Sequence, residues 1–411
     1  MLIKNAILVD AESERHGDIL IQGEQIAAIA PSIEAAGEEI VDAGGAYLMP
    51  GLIDLNFHLQ DPGNRSVESL DTAIMDAAKG GISQIAVLPY THPVIDSETT
   101  MEYLHARVAG KKGAKLSILA SATVGGEGEK LTEQSALFRN GALACHIHSH
   151  ADTNVLRRTF EYAWMQKKTL FVSCQNPALE AGGVMSDGEV SSRLGLPSII
   201  AIGQSSEVAR VCEMARYLDV KTLIQNISTA ASVALIEATK NRFDKLYAEV
   251  GIDHLILNDT ACDDFNTMAK VYPPLENEAT RRTLLDAVKS GIIDVIATHH
   301  TAQSLNSKDM PFDIAAYGTR NAGYFLPLLY TYLVDSGELS LQELSKVTAK
   351  NPASVAGLSA RGLLKEGFKA NLVLFDPNGT TLVPEGINSP YCGQTLKGRV
   401  AHLFVDGEKI V

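Results

Sequence analysis

The middle of this 411-residue chain alternates between two kinds of segment, and that alternation limits its fold more than any other feature. Between about residues 51 and 355, continuous apolar runs such as 84–88 and 294–298 take turns with amphipathic stretches at 66–79, 153–167, 205–218, 230–239 and 278–289. Apolar runs without polar alternation suit strands covered on both faces, as in a parallel sheet flanked by helices. Strand and helix repeated over this length predict an α/β fold, a TIM (β/α)8-type barrel. In such barrels the chemistry sits where strands end and loops begin.

The two ends of the chain read differently. Short strand-like runs at 3–9, 17–22 and 25–29, parted by glycine and polar turns, fill the first fifty residues. Runs at 370–376 and 398–407 repeat that style. The pattern predicts a small β-sandwich domain formed by both chain ends, residues 1–50 and 356–411, around a barrel domain at 51–355. Hydrophobic residues make up 45% and charged residues 20%, a balance that folds. No apolar run reaches the roughly 18 residues that span a bilayer. The first residues, Met1-Leu2-Ile3-Lys4-Asn5, lack the basic start and apolar run of a secretory signal. Five cysteines without a CxxC pair predict reduced thiols and a cytoplasmic location. A net charge of −14 argues against nucleic-acid and anionic-membrane partners.

One stretch reads as a metal-binding strand end with half its ligands missing. It is Pro50-Gly51-Leu52-Ile53-Asp54-Leu55-Asn56-Phe57-His58-Leu59-Gln60-Asp61-Pro62-Gly63. Side chains two apart on a strand share a face, so Asn56 and His58 point the same way. Two histidines there would form a ligand pair. The neutral amide oxygen of an asparagine is a poor donor to a zinc-type ion.

Further along stand Lys79-Gly80-Gly81-Ile82-Ser83, Pro89-Tyr90-Thr91-His92-Pro93, Gly183-Val184-Met185, Ile227-Ser228-Thr229, Lys270-Val271-Tyr272-Pro273-Pro274-Leu275 and Ala349-Lys350-Asn351-Pro352-Ala353. With the 50–63 stretch, these motifs resemble the amidohydrolase superfamily, and within it dihydroorotase, over nearly the whole chain. The resemblance implies one or two metals held by a fixed ligand set, and most of that set is changed here. Of the first-strand histidine pair, His58 matches and Asn56 does not. Gln60 stands where an arginine would hold the substrate carboxylate, a contact a neutral amide does not supply. Tyr90 replaces a substrate-binding asparagine. A bridging carboxylate should fall near Ile147 or His148, where there is none. Ser173 and Asn226 replace ligands, Tyr272 replaces another asparagine with Glu276 in place of an arginine, and His299 stands for the catalytic aspartate.

Read this way, the eight degenerate positions Asn56, His58, Gln60, Tyr90, Ser173, Asn226, Tyr272 and His299 predict no catalysis, no cofactor and no bound metal. The resemblance is nearest to the dihydroorotase-like subunits that assemble with aspartate transcarbamoylase. It implies a structural or regulatory role in de novo pyrimidine biosynthesis, as a homodimer within a hetero-oligomer holding the transcarbamoylase catalytic subunit. The alternative is an active hydrolase of the cyclic-amide class with a rebuilt mononuclear site and one zinc. Its candidate ligands are His58, His146, His148, His150, His299 and His300. A continued strand would place His146, His148 and His150 on one face.

Overall fold

The computed structural model describes residues 1–34 and 37–411. Five strands open the chain: β1 (Leu2–Val9), β2 (Glu14–Gln22), β3 (Gln25–Ala30), β4 (Ile40–Asp42) and β5 (Tyr47–Pro50). β6 (Leu52–His58), β7 (Ile82–Val87), β8 (Lys115–Ser121), β9 (Ala144–His148) and β10 (Leu170–Ser173) follow. A short pair, β11 (Met185–Ser186) and β12 (Ser198–Ile199), stands apart from the main sheets. Then come β13 (Thr222–Gln225), β14 (Leu246–Gly251), β15 (Val295–Ala297) and β16 (His300–Thr301). The chain closes with β17 (Leu372–Leu382), β18 (Thr395–Val405) and β19 (Glu408–Lys409).

The central sheet is parallel and runs β15-β14-β13-β10-β9-β8-β7-β6-β16. Its two ends are β15 and β16, which only Thr298 and His299 separate. The sheet therefore closes on itself at that corner, and the fold is a (β/α) barrel. Asp54 on β6 fastens the closure. Its buried carboxylate accepts the Thr298 amide (3.2 Å) and the Thr298 hydroxyl, and also the Asn56 amide (3.1 Å).

Helices cover the outside at Leu70–Lys79, Thr153–Gln166, Ile202–Leu218, Ala230–Lys240 and Glu278–Lys289. The first begins four residues later than its pattern suggests. Ser69 caps it by accepting the Thr72 amide, and Asp61 takes the Leu70 amide, so the residues before Ser69 stay in a turn. The third begins three residues early, because Ile202-Gly203-Gln204 carries no cap signal to mark the start. No helix among the described residues is long and apolar enough to cross a membrane.

Inside the barrel, Ile53, Leu55, Ala86, Leu119, Ala144, Phe171, Leu223 and Val295 form one apolar layer, fed by seven strands and closed below by Ala353 and Val355. Each fully buried large side chain of this kind contributes about 1.5–3 kcal/mol. Two residues further along the strands the layer changes character to Ser121, His146, Ser173 and Gln225, joined by Glu249 of β14. This polar layer floors the mouth of the barrel.

The terminal strands join in one sheet, β19-β18-β17-β5-β1-β2-β3, with β4 on β1. Alternation along β17 and β18 divides their side chains between two cores. Leu372, Leu374 and Phe404 pack with Ile3, Leu8, Ile19 and Ile26, whereas Val373, Phe375, Leu403 and Val405 join the main core.

Candidate active site

The strand ends surround a cavity of about 320 Å³. Six of the eight positions singled out from the sequence line it: His58, Tyr90, Ser173, Asn226, Tyr272 and His299. The other two do not. Gln60 turns aside and donates to the Ala302 carbonyl (3.1 Å). Asn56 lies beneath the floor, fully buried, and its amide donates to Asn226 Oδ1 (2.9 Å) and Glu249 Oε1 (2.6 Å).

Backbone shape places two of the six. Asn226 (φ 55°) and His299 (φ 53°) both adopt the left-handed conformation. For residues other than glycine this costs roughly 1–2 kcal/mol, and it persists only where surrounding contacts enforce it. Gln204 enforces it beside Asn226 by donating to the Asn226 carbonyl (2.9 Å) and accepting the Ser228 amide (3.0 Å). At His299 the barrel-closing corner does the same. Gly251 across from it leaves room, since a side chain there would come within 3.0 Å of His299 Cβ.

The histidines divide into two groups. His146 is buried and fully used: one ring nitrogen meets the Tyr90 hydroxyl (2.7 Å), the other the Ser173 hydroxyl (3.0 Å). It thereby ties a substrate-contact position to a ligand position. His300 is equally committed. The Ala322 amide donates to its Nδ1 (3.2 Å), so Nε2 carries the proton and donates to Glu68 (2.8 Å), while Phe57 stacks on the ring. By contrast, His148 and His299 face the cavity, and Nδ1 of each is buried without a partner. Burial holds both imidazoles neutral, with their pKa pushed down to about 3 and neighbouring histidines adding to the effect. Tyr90 stacks on His148 at 4.6 Å, and burial keeps its hydroxyl protonated. Tyr272 donates to Glu180 and meets Tyr317 edge to face at 5.6 Å.

The candidate ligands of a relocated zinc are not gathered. β9 ends at His148, and a turn carries His150 to the exposed surface. His146 and His300 are sealed into the contacts above. Among the described residues no three His, Cys, Asp or Glu side chains stand where they could hold one ion together.

Three residues of the site went unread in the sequence: Gln225, Tyr317 and Glu249. Gln225 and Tyr317 line the cavity. Glu249 sits just below it, fully buried, accepting from Asn56 and from Gln225 (3.3 Å). A signal for Glu249 did exist. It is the one acid in the apolar run Leu246-Tyr247-Ala248-Glu249-Val250-Gly251, and a lone carboxyl on a buried strand is uncommon without a purpose.

With this geometry in place, comparison with known proteins is informative. The Dihydro-orotase-like family model matches residues 45–232. A dihydroorotase of Thermoanaerobacter sp. (strain X514) is 33% identical, covering 99% of this chain and 96% of its own. A dihydroorotase of Acetivibrio thermocellus is also 33% identical, covering 100% of this chain and 99% of its own. The solved L-hydantoinase (dihydropyrimidinase) from Arthrobacter aurescens superposes with a TM-score of 0.87 at 21% identity. That match covers 100% of this chain and 95% of the other.

These findings correct two expectations. A chain without catalysis does not stand against end-to-end similarity to proteins named as enzymes, on a fold shared with a hydantoinase. The expectation of no cofactor falls with it, because the resemblance to dihydroorotases implies a bound metal and now extends over the full length of the relatives. The donors present do not reproduce that centre. Asn56 is turned to Glu249, Ser173 is bound to His146, and no carboxylate bridges.

Proposed function

This chain belongs to the dihydroorotase-like family, and from that premise we propose that it is an amidohydrolase that opens or closes a cyclic amide of pyrimidine metabolism. One observation carries the reading. Six positions that the resemblance assigns to metal ligation and substrate contact converge on a single cavity at the strand ends. Two of the nine non-glycine residues with positive φ among the described residues, Asn226 and His299, lie on its wall.

The cavity supplies polar chemistry through neutral groups. Ser173, Gln175, Asn226 and Thr301 line it beside His58, His148 and His299. His299 lies on the wall beside which a bound ring would sit.

The test is a ring-opening assay of the purified protein, as isolated and with added Zn²⁺, on dihydroorotate, dihydrouracil and hydantoin. Turnover of at least one ring is expected, with a loss of about 100-fold or more in His299→Ala. Failure to open any of the three in either condition would refute the reading.

We also propose, from the resemblance alone, that the chain assembles with the catalytic subunit of aspartate transcarbamoylase, as a homodimer within a hetero-oligomer. Co-expression should give one complex in size-exclusion chromatography, and separate elution would count against it.

A further inference from the structure

We infer that this cavity takes an uncharged ring, a cyclic diamide or imide, in preference to a ring that carries a carboxylate. The inference rests on the cyclic-amide reading above and narrows it. Among the described residues no lysine, arginine, aspartate or glutamate lines the cavity.

The cations nearby in sequence or space are committed elsewhere. Arg65 and Arg107 pair with Asp61. Arg210 is held by Glu207 and the Ser149 carbonyl. Lys270 is held by the carbonyls of Phe312, Asp313 and Ala315. At a further remove Glu180 stands behind Tyr272 and Glu276 beside it, and neither offers a counter-charge to a carboxylate. A carboxylate entering this space would lose its water and meet no side-chain counter-charge, the unfavourable case for a buried ion.

A neutral ring finds the opposite. The polar side chains of its wall besides the histidines and tyrosines, Ser173, Gln175, Gln225, Asn226 and Thr301, are all neutral amides and hydroxyls. Amides and hydroxyls of this kind donate and accept, which matches the N–H and carbonyl groups of a neutral ring. The flat faces come from Tyr90, with Tyr272 and Tyr317 meeting edge to face beside it. The volume, at the small end for ligand pockets, suits a single ring.

The experiment compares two rings that differ only by a carboxylate, dihydrouracil and dihydroorotate, by calorimetric titration of the full chain. Dihydrouracil is expected to bind at least about tenfold more tightly. Gln175 also lines the cavity, and its side-chain amide makes no hydrogen bond within the described residues. Gln175→Arg should therefore close or reverse the difference by supplying the missing cation. Equal or tighter binding of dihydroorotate to the unaltered protein overturns the inference and leaves the cyclic-amide reading standing. Binding of neither ring at millimolar concentration overturns both.

Discussion

Raising the pH from about 6.5 to about 9 should destabilise this protein, and Glu249→Gln should lessen that loss. Glu249 is sealed inside the barrel, and among the described residues its side-chain partners are the neutral amides of Asn56 and Gln225. Burial pushes its carboxyl up to about 8. The nearby Asp54 charge adds to the shift, and the hydrogen bonds from Asn56 and Gln225 only partly oppose it. In the unfolded chain the same carboxyl ionises near 4.5. Between those values the folded state holds a proton that the unfolded state has shed, so stability falls as pH rises through the window and levels off above it. At about 1.4 kcal/mol for each pH unit, complete ionisation costs the fold roughly 5 kcal/mol.

Geometry supports a protonated Glu249. Asn56 Oδ1 and Gln225 Oε1 are buried acceptors without donors, and a neutral carboxyl can give its proton to one of them. Glutamine at 249 keeps an acceptor for Asn56 and adds donors for the same oxygens. Between pH 7 and pH 9 the thermal midpoint should fall further in the native protein than in the variant. Parallel declines in the two would remove Glu249 as the cause.

The same residue marks the limit of sequence reading. The barrel was legible because strands covered on both faces leave apolar runs, and because helices such as Glu278–Lys289 keep one buried stripe. The convergence of His58, Tyr90, Ser173, Asn226, Tyr272 and His299 was legible through motifs that also fix the fold. Glu249 belongs to no motif and interrupts a strand only once. The histidine run misled for a geometric reason. Counting by twos holds only while a strand lasts, and β9 stops at His148, where the Ser149 amide turns to the Ser173 carbonyl (2.9 Å). His299 and His300 are neighbours in sequence, yet the left-handed turn at His299 sends one ring to the cavity and the other to Glu68. Periodicity carries no record of such a turn.

Lys270→Met should lower stability by about 3–5 kcal/mol and weaken ligand binding in the cavity as well. Lys270 is buried, and its ammonium donates to the carbonyls of Phe312 (2.6 Å), Ala315 (2.8 Å) and Asp313 (3.2 Å). It also lies 4.4 Å from the centre of the Tyr317 ring. The segment it clamps brings Tyr317 and Gly318 to the cavity wall. Lys308, buried next to it, donates to the Lys270 carbonyl (3.0 Å) and the Thr267 carbonyl (3.0 Å), so two lysines fasten this loop from inside. Methionine preserves most of the side-chain volume, so the loss reports the carbonyls left without donors and not an empty space. The expected results are a lower denaturant midpoint, new proteolytic cleavage between residues 309 and 318, and weaker binding of whichever ring the native cavity holds. A variant within about 1 kcal/mol of the native protein, with the same cleavage pattern, would mean that the loop is held by its apolar contacts and not by the buried cation.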